Sequence, residues 1–508
     1  MDDDEIAALL DSRERLVTVC APAGCGKTYQ GAHYAARALA HLDRGRVLIL
    51  THTHAACGVF AAATHNAGER VEIKTLDAFI VEIARIYHRS LDLPSDPAAW
   101  AQSHQGDFAV IAERVAGLLI SQPMVANALA QRYPIVIGDE HQDSSTAQHQ
   151  LMMSLHGAGA VMRLFGDRMQ TLYGNRTAAE RTADQVRWNE LDDKGAISTL
   201  STPHRWRDGS INLGQWILRA REALENDEAV DLREPLPEGL EVIRVANNAQ
   251  RHNDFRLDPD DRRPIDAKVN RLASILVLSR NNDTVKSLRV FWNRRYPIWE
   301  GHTRYALTDL LFALEHDRGN AVALANATVT FLQRTCKGFA NGSHGDRFAQ
   351  EVREECVSNA RGKPALLQTM AQELIDRPDH IGVSRCLQLL DSFMSDSLGG
   401  FTDIKIDYRR EFRDAITLGD FPDPLSALRE INRRHAFSRP MPPDKALSTI
   451  HKAKGMECDH AIIMPCDRRT FSDSVKSRCL LYVALSRAKQ TLTLVVPHDE
   501  PSPLLLLD

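Results

Sequence analysis

The chain has 508 residues, too many for one hydrophobic core, and at about 100 to 200 residues per domain it should divide into three or four domains. Hydrophobic residues at 43% and charged residues at 25% exclude general disorder, and a formal charge of −5 excludes a whole-molecule attraction to phosphate, so any nucleic-acid contact needs a local groove. No apolar run approaches the roughly 18 residues that cross a bilayer, and the opening Met1 Asp2 Asp3 Asp4 Glu5 is acidic where a signal peptide is basic, so the chain is expected to be cytoplasmic with no membrane partner.

In chain order, Leu16 to Cys20 is a short apolar strand running into Ala21 Pro22 Ala23 Gly24 Cys25 Gly26 Lys27 Thr28, after which Ala32, Ala35, Ala36 and Leu39 mark a helix. A second strand signal, Val47 to Leu50, runs into Thr51 His52 Thr53 His54. Ile135 to Ile137 leads to Gly138 Asp139 Glu140, and Val161 to Phe165 leads to Gly166 Asp167. Short apolar strands alternating with helical stretches predict a parallel sheet covered by helices, with ligands at the carboxyl ends of its strands. The pattern returns at Ile275 to Leu278, at Ala461 to Met464 after the Lys454 Gly455 turn, and at Thr491 to Val496, predicting a second α/β domain.

Two helically spaced segments interrupt these domains. The expected division is a first α/β domain over 1–80 and 131–205 with a helical insertion at 81–130, and a second over 206–300 and 441–508 with a helical insertion at 301–440. Leu504 to Leu507 has no assignment. The nine cysteines form no CxxC pair and have no histidine at ligand spacing, which gives neither a cysteine metal site nor a disulfide framework.

Ala21 to Thr28 fits the phosphate-loop pattern GxxxxGK[ST], except that Ala21 stands at the first glycine. In such a loop Gly24 and Gly26, with Ala23 and Cys25 between and beside them, bring backbone N–H groups to phosphate oxygens. Lys27 reaches the outer phosphates, and the Thr28 hydroxyl can ligate magnesium at a helix N-terminus. A glycine-rich turn before Lys-Thr also arises by chance, but the preceding strand and following helix argue for the functional reading. Hydrolysis further needs a carboxylate for the metal and a group to polarise water. Asp139 and Glu140, at a strand end, divide those roles: Asp139 toward magnesium, Glu140 toward water.

Asp139 Glu140 His141 Gln142 Asp143 resembles the DExQD motif of UvrD/Rep-type superfamily 1 helicases. Further segments resemble that family's motifs in order: Gly166 to Tyr173 (GDxxQxIY), His204 Arg205 (the end of NYR), Thr449 to Glu457 (TxHxAKGLE) and Leu481 to Ala488 (LYVAxTRA). The resemblance implies an α/β fold of two RecA-like parallel-sheet P-loop domains with two mostly helical inserted subdomains. It implies an ATP-dependent translocase or helicase on single-stranded DNA, moving 3′ to 5′, with ATP and Mg2+ as cofactors. By it Gln170 senses the γ-phosphate, and Arg205 and Arg487 are arginine fingers reaching across a cleft. Tyr29, His204 and Glu457 become nucleotide contacts, and Thr51, His52, Thr75, Tyr173, Thr449 and His451 nucleic-acid contacts.

The chain also departs from that pattern. No Gln lies between Met1 and Thr28 to read adenine, Tyr29 stands where an Arg is common, and His204 where a Tyr is common. His52 replaces a Phe, Leu76 and Asp77 replace Phe and His, and Asn175 replaces a Trp, leaving Tyr173 with His52 or His204 to stack on bases. Weaker strand binding and ordinary family variation both fit these losses. Arg280, Lys286, Arg289, Arg294 and Arg295, interleaved with Trp292, Tyr296 and Trp299, read either as a nucleic-acid groove or as a solvated helix face over core tryptophans. The short insertions resemble those of compact UvrD-like subunits that accompany a nuclease in bacterial defence systems such as Gabija. That likeness implies a nuclease partner and an alternative role, a nucleotide- and DNA-sensing regulatory subunit with little processive unwinding. A small-molecule phosphotransferase would leave Thr449 to Glu457 and Arg487 without a purpose.

Overall fold

The computed structural model describes all residues except 66–69, 102–106, 173–176, 234, 247–249, 252–253, 300–304, 340, 358–359, 425, 429, 432–442 and 508. Tyr173 and Asn175 lie outside the described residues. The chain separates into a unit of residues 1–296 with 442–508 and a unit of residues 297–441.

The larger unit contains two parallel sheets. The first is built from β1 (Leu16–Cys20), β2 (Val47–Thr51), β3 (Val71–Thr75), β4 (Ile135–Gly138), β5 (Val161–Gly166) and β6 (Ala196–Thr199), in the spatial order β3-β2-β4-β5-β1-β6. The four central strands are apolar on both faces because both faces are covered. On one face Val17, Val19, Ile49, Ile137 and Phe165 pack with Tyr34 of α2 (Lys27–Ala40) and Phe60 of α3 (His54–Ala63), and with Ile6 and Leu10 of α1 (Asp3–Leu10). On the other, Leu48, Leu50, Val136 and Leu164 pack with Phe79 and Ile83 of α4 (Leu76–Ile86).

The helices of the segment expected as an insertion, residues 81–130, add to that second layer. After α5 (Pro97–Ala101), Ile111, Val115 and Leu119 of α6 (Phe108–Ser121) and Ala126 of α7 (Pro123–Arg132) join the same core as Leu48 and Val136. Helices α6 and α7 thus share the core on this face, with α6 burying its apolar stripe against α4 and α8 (Thr146–Gly157). The layer is completed by α8 and α9 (Ala178–Lys194), and α10 (Ile211–Glu225) leads toward the second sheet.

The second sheet comprises β7 (Leu240–Val245), β8 (Ile275–Ser279), β9 (Lys445–Thr449), β10 (Cys458–Ile463) and β11 (Ala488–Pro497), in the order β9-β8-β10-β11-β7, all parallel. Two helices, α11 (Pro259–Arg271) and α12 (Asn282–Phe291), follow β7 and β8 in the chain. Leu505–Leu506 pairs with Val230–Asp231, which gives the terminal leucines a place. Trp292 and Tyr296 are buried, and the Trp292 indole donates to Asp266 Oδ1 at 2.8 Å, so these two rings serve packing and present no stacking face.

The smaller unit is helical: α13 (Tyr305–His316), α14 (Ala321–Thr335), α15 (Asp346–Arg353), α16 (Lys363–Asp376), α17 (His380–Ser395) and α18 (Arg409–Ile416) close around Leu310, Phe331, Phe348, Leu387 and Phe412. The last long helix of the larger unit is α19 (Val475–Leu485). Among the described residues no single helix is long and apolar enough to cross a membrane, and the nine cysteines are free thiols.

Candidate active site

The end of β1 becomes a phosphate cradle. Ala21 N–H donates to Gly166 O at 2.8 Å and Cys25 N–H to Pro22 O at 3.1 Å, tying the loop to β5 and closing its turn. Gly24 and Gly26 have φ of 78° and 86°, a region L side chains rarely enter. Space imposes the same choice: a Cβ on Gly24 would lie 2.6 Å from Arg205 Cβ, and one on Gly26 would lie 3.0 Å from His204 Cδ2. The segment carrying His204 and Arg205 is therefore pressed directly on the loop, and α2 starts from it at Lys27 with Thr28 in its first turn.

Lys27 Nζ contacts the Glu140 carboxylate and lies 3.3 Å from Asp139 Oδ1. Burial works against the Lys27 charge, but Asp139 and Glu140 outweigh it and raise the lysine pKa. The two carboxylates respond in opposite directions. Burial pushes Asp139 up to about 6 against the pull of Lys27, with Glu140 adding to the rise. For Glu140 burial is overcome by Lys27 and then Lys454, which hold the group down to about 2. Glu140 also sits at φ 54°, ψ 41°, a strained position for a residue with a Cβ.

Asp139 Oδ1 is buried, and its partner is the Lys27 ammonium at 3.3 Å. A buried carboxylate held only by a lysine that a phosphate can engage, together with Thr28 and a two-glycine loop, is a donor set that a magnesium–triphosphate fits, since that ion takes one or two carboxylates and fills its shell with phosphate and water. Among the described residues no cluster of three His, Cys, Asp or Glu exists that would hold an ion by itself.

Gln142, a residue the motif contains but to which sequence reasoning gave no role, bridges the site. Its Nε2 donates to Glu140 and its Oε1 accepts from the Asp167 N–H at 3.0 Å. Asp167 in turn binds Arg221 at 2.7 Å and accepts from Gln170 Nε2 at 2.9 Å, so Gln170 is held inside the crevice at the end of β5.

The second sheet closes on these groups from the other side. Tyr482 of α19 accepts from the Ala23 N–H at 2.8 Å, and Lys454 binds Asp143 at 2.6 Å and the Gln170 carbonyl at 2.8 Å. Arg205 lies between the sheets, donating to Glu457 Oε1 at 2.9 Å and to the Ser486 carbonyl at 2.6 Å. Tyr482 and Lys454 were part of recognised segments, yet their partners lie hundreds of positions away and no local signal names them.

Arg487, expected to reach across a cleft, is turned inward in this structure. It is buried, and its guanidinium is spent on Val483 O at 2.8 Å, Met456 O at 3.0 Å and Ser486 Oγ at 2.6 Å, groups of its own domain. Burial, with Arg205 adding, lowers its pKa to about 10. The carbonyls at the end of α19 need donors, and the arginine folds inward to supply them instead of extending toward the cradle.

Beside Gly26 a cavity of about 540 Å³ is lined by Asp3, Gly26, Tyr29, Gln30, His204 and Arg207, among others. His204 Nε2 is 2.7 Å from Asp3 Oδ2, Gln30 Nε2 donates to the Asp3 carbonyl at 3.1 Å, and the exposed Tyr29 ring lies 3.9 Å from that of His33. Tyr29 and His204 thus meet at one nucleotide-sized space. Gln30, downstream of the loop, and Asp3 supply the polar groups there that no upstream glutamine provides.

The strand candidates lie at the carboxyl ends of β2, β3 and β9, but their side chains are committed locally. Thr51 Oγ1 donates to Thr53 O at 3.0 Å, Thr75 caps α4 by accepting from Ala78 N–H at 3.1 Å, and Thr449 accepts from Lys452 N–H at 3.3 Å. All three threonines are buried and shape turns. His52 points inward to Ser144 Oγ at 3.1 Å and offers no stacking face in this arrangement.

Comparison with known proteins agrees with this geometry. The UvrD/REP helicase N-terminal domain matches residues 74–188, and the UvrD-like helicase C-terminal domain matches residues 446–495. Over these two segments the chain is similar to UvrD/REP-type helicase domains, and the matched residues include Asp139 to Asp143, Gln170, Thr449 to Glu457 and Arg487. The phosphate loop precedes the first matched segment and stands on its own geometry. Among solved structures, arterivirus nonstructural protein 10 (helicase) is similar over 98% of this chain and 61% of the viral one, at 10% identity and a TM-score of 0.33, too weak a likeness to carry argument. The chain therefore spans under two thirds of that viral chain's length. No curated protein matches the sequence. In this site Lys27, Asp139, Glu140, Gln142 and Gln170 come from the first sheet's side and Lys454, Glu457 and Tyr482 from the second's.

Proposed function

We propose that the chain is an ATP-dependent translocase or helicase acting on single-stranded DNA with 3′ to 5′ polarity. The observation that carries this reading is the closure of one phosphate site by two sheets: Lys27 and Glu140 from the first, Tyr482, Lys454 and Glu457 from the second. A site assembled in this way makes nucleotide turnover depend on the distance between the sheets, which is what a motor needs. The choice of DNA and the polarity are supported by the family likeness alone.

Bound Mg–ATP supplies the phosphoanhydride and a divalent charge. Thr28 and Asp139 would hold the ion and the two-glycine loop the phosphates. Lys27, now on two carboxylates, carries the positive charge that a phosphate would engage. Glu140, ionised at every physiological pH because its pKa is held down to about 2, orients a water and accepts its hydrogen bond. Gln142 fixes the Glu140 carboxylate, and Arg205, lying against Gly24, places a guanidinium beside the loop.

The direct test is ATP hydrolysis by the full chain with and without single-stranded DNA, followed by strand displacement on a duplex with a 3′ single-stranded tail. Stimulation by the strand and displacement from a 3′ tail are expected. Stimulation without displacement would instead favour the sensing subunit of a nuclease complex, the reading that the inward His52 favours.

A further inference from the structure

A string of hydrogen bonds runs from the end of β2 through the core to the surface of α9. His52 Nε2 lies 3.1 Å from Ser144 Oγ, Ser144 Oγ 3.5 Å from His141 Nδ1, His141 Nε2 3.1 Å from His149 Nδ1, and His149 Nε2 3.0 Å from Glu190 Oε2. His141 and His149 are both buried, and the His141 ring meets the Trp188 ring edge-on at 6.2 Å. A hydrogen bond between two ring nitrogens, His141 Nε2 and His149 Nδ1, needs one of them bare, and a neutral imidazole has one N–H.

That single N–H fixes the direction of every bond. The Glu190 carboxylate can only accept, so His149 carries its proton on Nε2 and presents a bare Nδ1. His141 must then donate from Nε2, which leaves its Nδ1 to accept from the Ser144 hydroxyl. Ser144 in turn accepts from His52 Nε2–H. The string is satisfied in one tautomeric pattern, and its longest contact, between Ser144 and His141, is where it opens at least cost.

Its two ends matter. His52 belongs to the Thr51–Thr53 turn at the end of β2, among the carboxyl-end turns where a strand is expected to pass. His141 immediately follows Glu140, whose left-handed backbone has to be held from outside. We propose that Ser144, His141 and His149 are positioning residues that couple strand occupancy at the Thr51–Thr53 turn to the placement of Glu140. This inference rests on the strand-stimulated ATPase proposed above. In it, a strand that shifts the β2 turn moves His52, the shift passes through Ser144 to His141, and Glu140 is re-aimed at its water. Lys27 and Gln142 hold the same carboxylate independently, so turnover without a strand does not need the string.

The test uses the full-length chain, a single-stranded oligothymidine and steady-state ATP hydrolysis. Ser144→Ala is expected to keep the strand-free rate and the strand affinity within about twofold while the strand-stimulated kcat falls about tenfold, a typical coupling between sites. Glu190→Ala, at the accessible end, should lower stimulation in the same direction, and Glu190→Gln, which keeps an acceptor oxygen, should restore it. Selective 15N labelling of histidine should show Nε2–H tautomers at His52, His141 and His149. Wild-type stimulation retained in both Ser144→Ala and Glu190→Ala would overturn the coupling, and an Nδ1–H tautomer at His141 or His149 would overturn the string. A wild-type chain that shows no strand stimulation would remove the proposed function itself and this inference with it, an outcome separate from the other two.

Discussion

Lys27 and Arg487 are buried cations on the two sheets that face one crevice, and they are held by different chemistry. Lys27 is clasped by two carboxylates that a phosphate can replace as partners, whereas Arg487 is bonded to the Val483 and Met456 carbonyls and the Ser486 hydroxyl. The first sheet therefore keeps its charges exchangeable and carries the chemistry. The second keeps its arginine structural and reaches the site through Tyr482, Lys454 and the Glu457–Arg205 pair. Arg205 lays its side-chain stem against the phosphate loop and its guanidinium on Glu457 and the Ser486 carbonyl.

The largest expected effect lies on the first sheet. Glu140→Gln removes the group that orients water and should reduce ATP turnover by about a thousandfold or more, with nucleotide still bound. Unchanged turnover would end the assignment. On the second sheet, Arg487→Ala should act mainly on folding, because it strips donors from buried carbonyls. A cost of about 1 to 3 kcal/mol is expected, read as a lowered Tm. If Arg487→Ala instead abolished turnover at an unchanged Tm, the contrast between the two sheets would fail and Arg487 would have to swing outward during the cycle.

A smaller effect should come from the contact between the sheets. Lys454 binds Asp143 at 2.6 Å with both side chains largely shielded, and it also holds the Gln170 carbonyl. Lys454→Met leaves Asp143 without its partner, which favours separation of the sheets. About a tenfold rise in the KM for ATP is expected, with a lesser change in kcat. An equal fall in kcat at constant KM would place Lys454 in the chemistry and not in closure.

What the sequence revealed follows the same division. The phosphate loop, Asp139 and Glu140 were legible because each sits at the end of a continuous apolar strand, and β1, β2, β4, β5, β8, β10 and β11 were marked by such runs. Edge strands such as β3 (Val71 to Thr75) and β6 (Ala196 to Thr199) were silent, since a strand half exposed at an edge alternates or mixes its polarity. Over 81–130 helical spacing says which face is apolar and not which surface covers it. Tyr482 and Ala23 are 459 positions apart, and only the fold brings them together. The inward turn of Arg487 is a rotamer choice, set by carbonyls that need donors, and no motif encodes it.

The smallest predicted effect separates the two carboxylates themselves. Asp139 is pushed up to about 6 by burial while Glu140 is held down to about 2, so between these values Asp139 takes up a proton and Glu140 stays ionised. A proton and a divalent cation compete for the Asp139 carboxylate. As pH falls through about 6 the ionised fraction of Asp139 falls, so the Mg2+ concentration for half-maximal turnover should rise several-fold between pH about 7.5 and about 5.5. The sign is specific: acid weakens the metal requirement's affinity, and saturating Mg2+ should restore kcat because Glu140 has not titrated. A fall in kcat that saturating Mg2+ cannot reverse would mean that the water-orienting group, and not the metal ligand, is the one that protonates near neutrality.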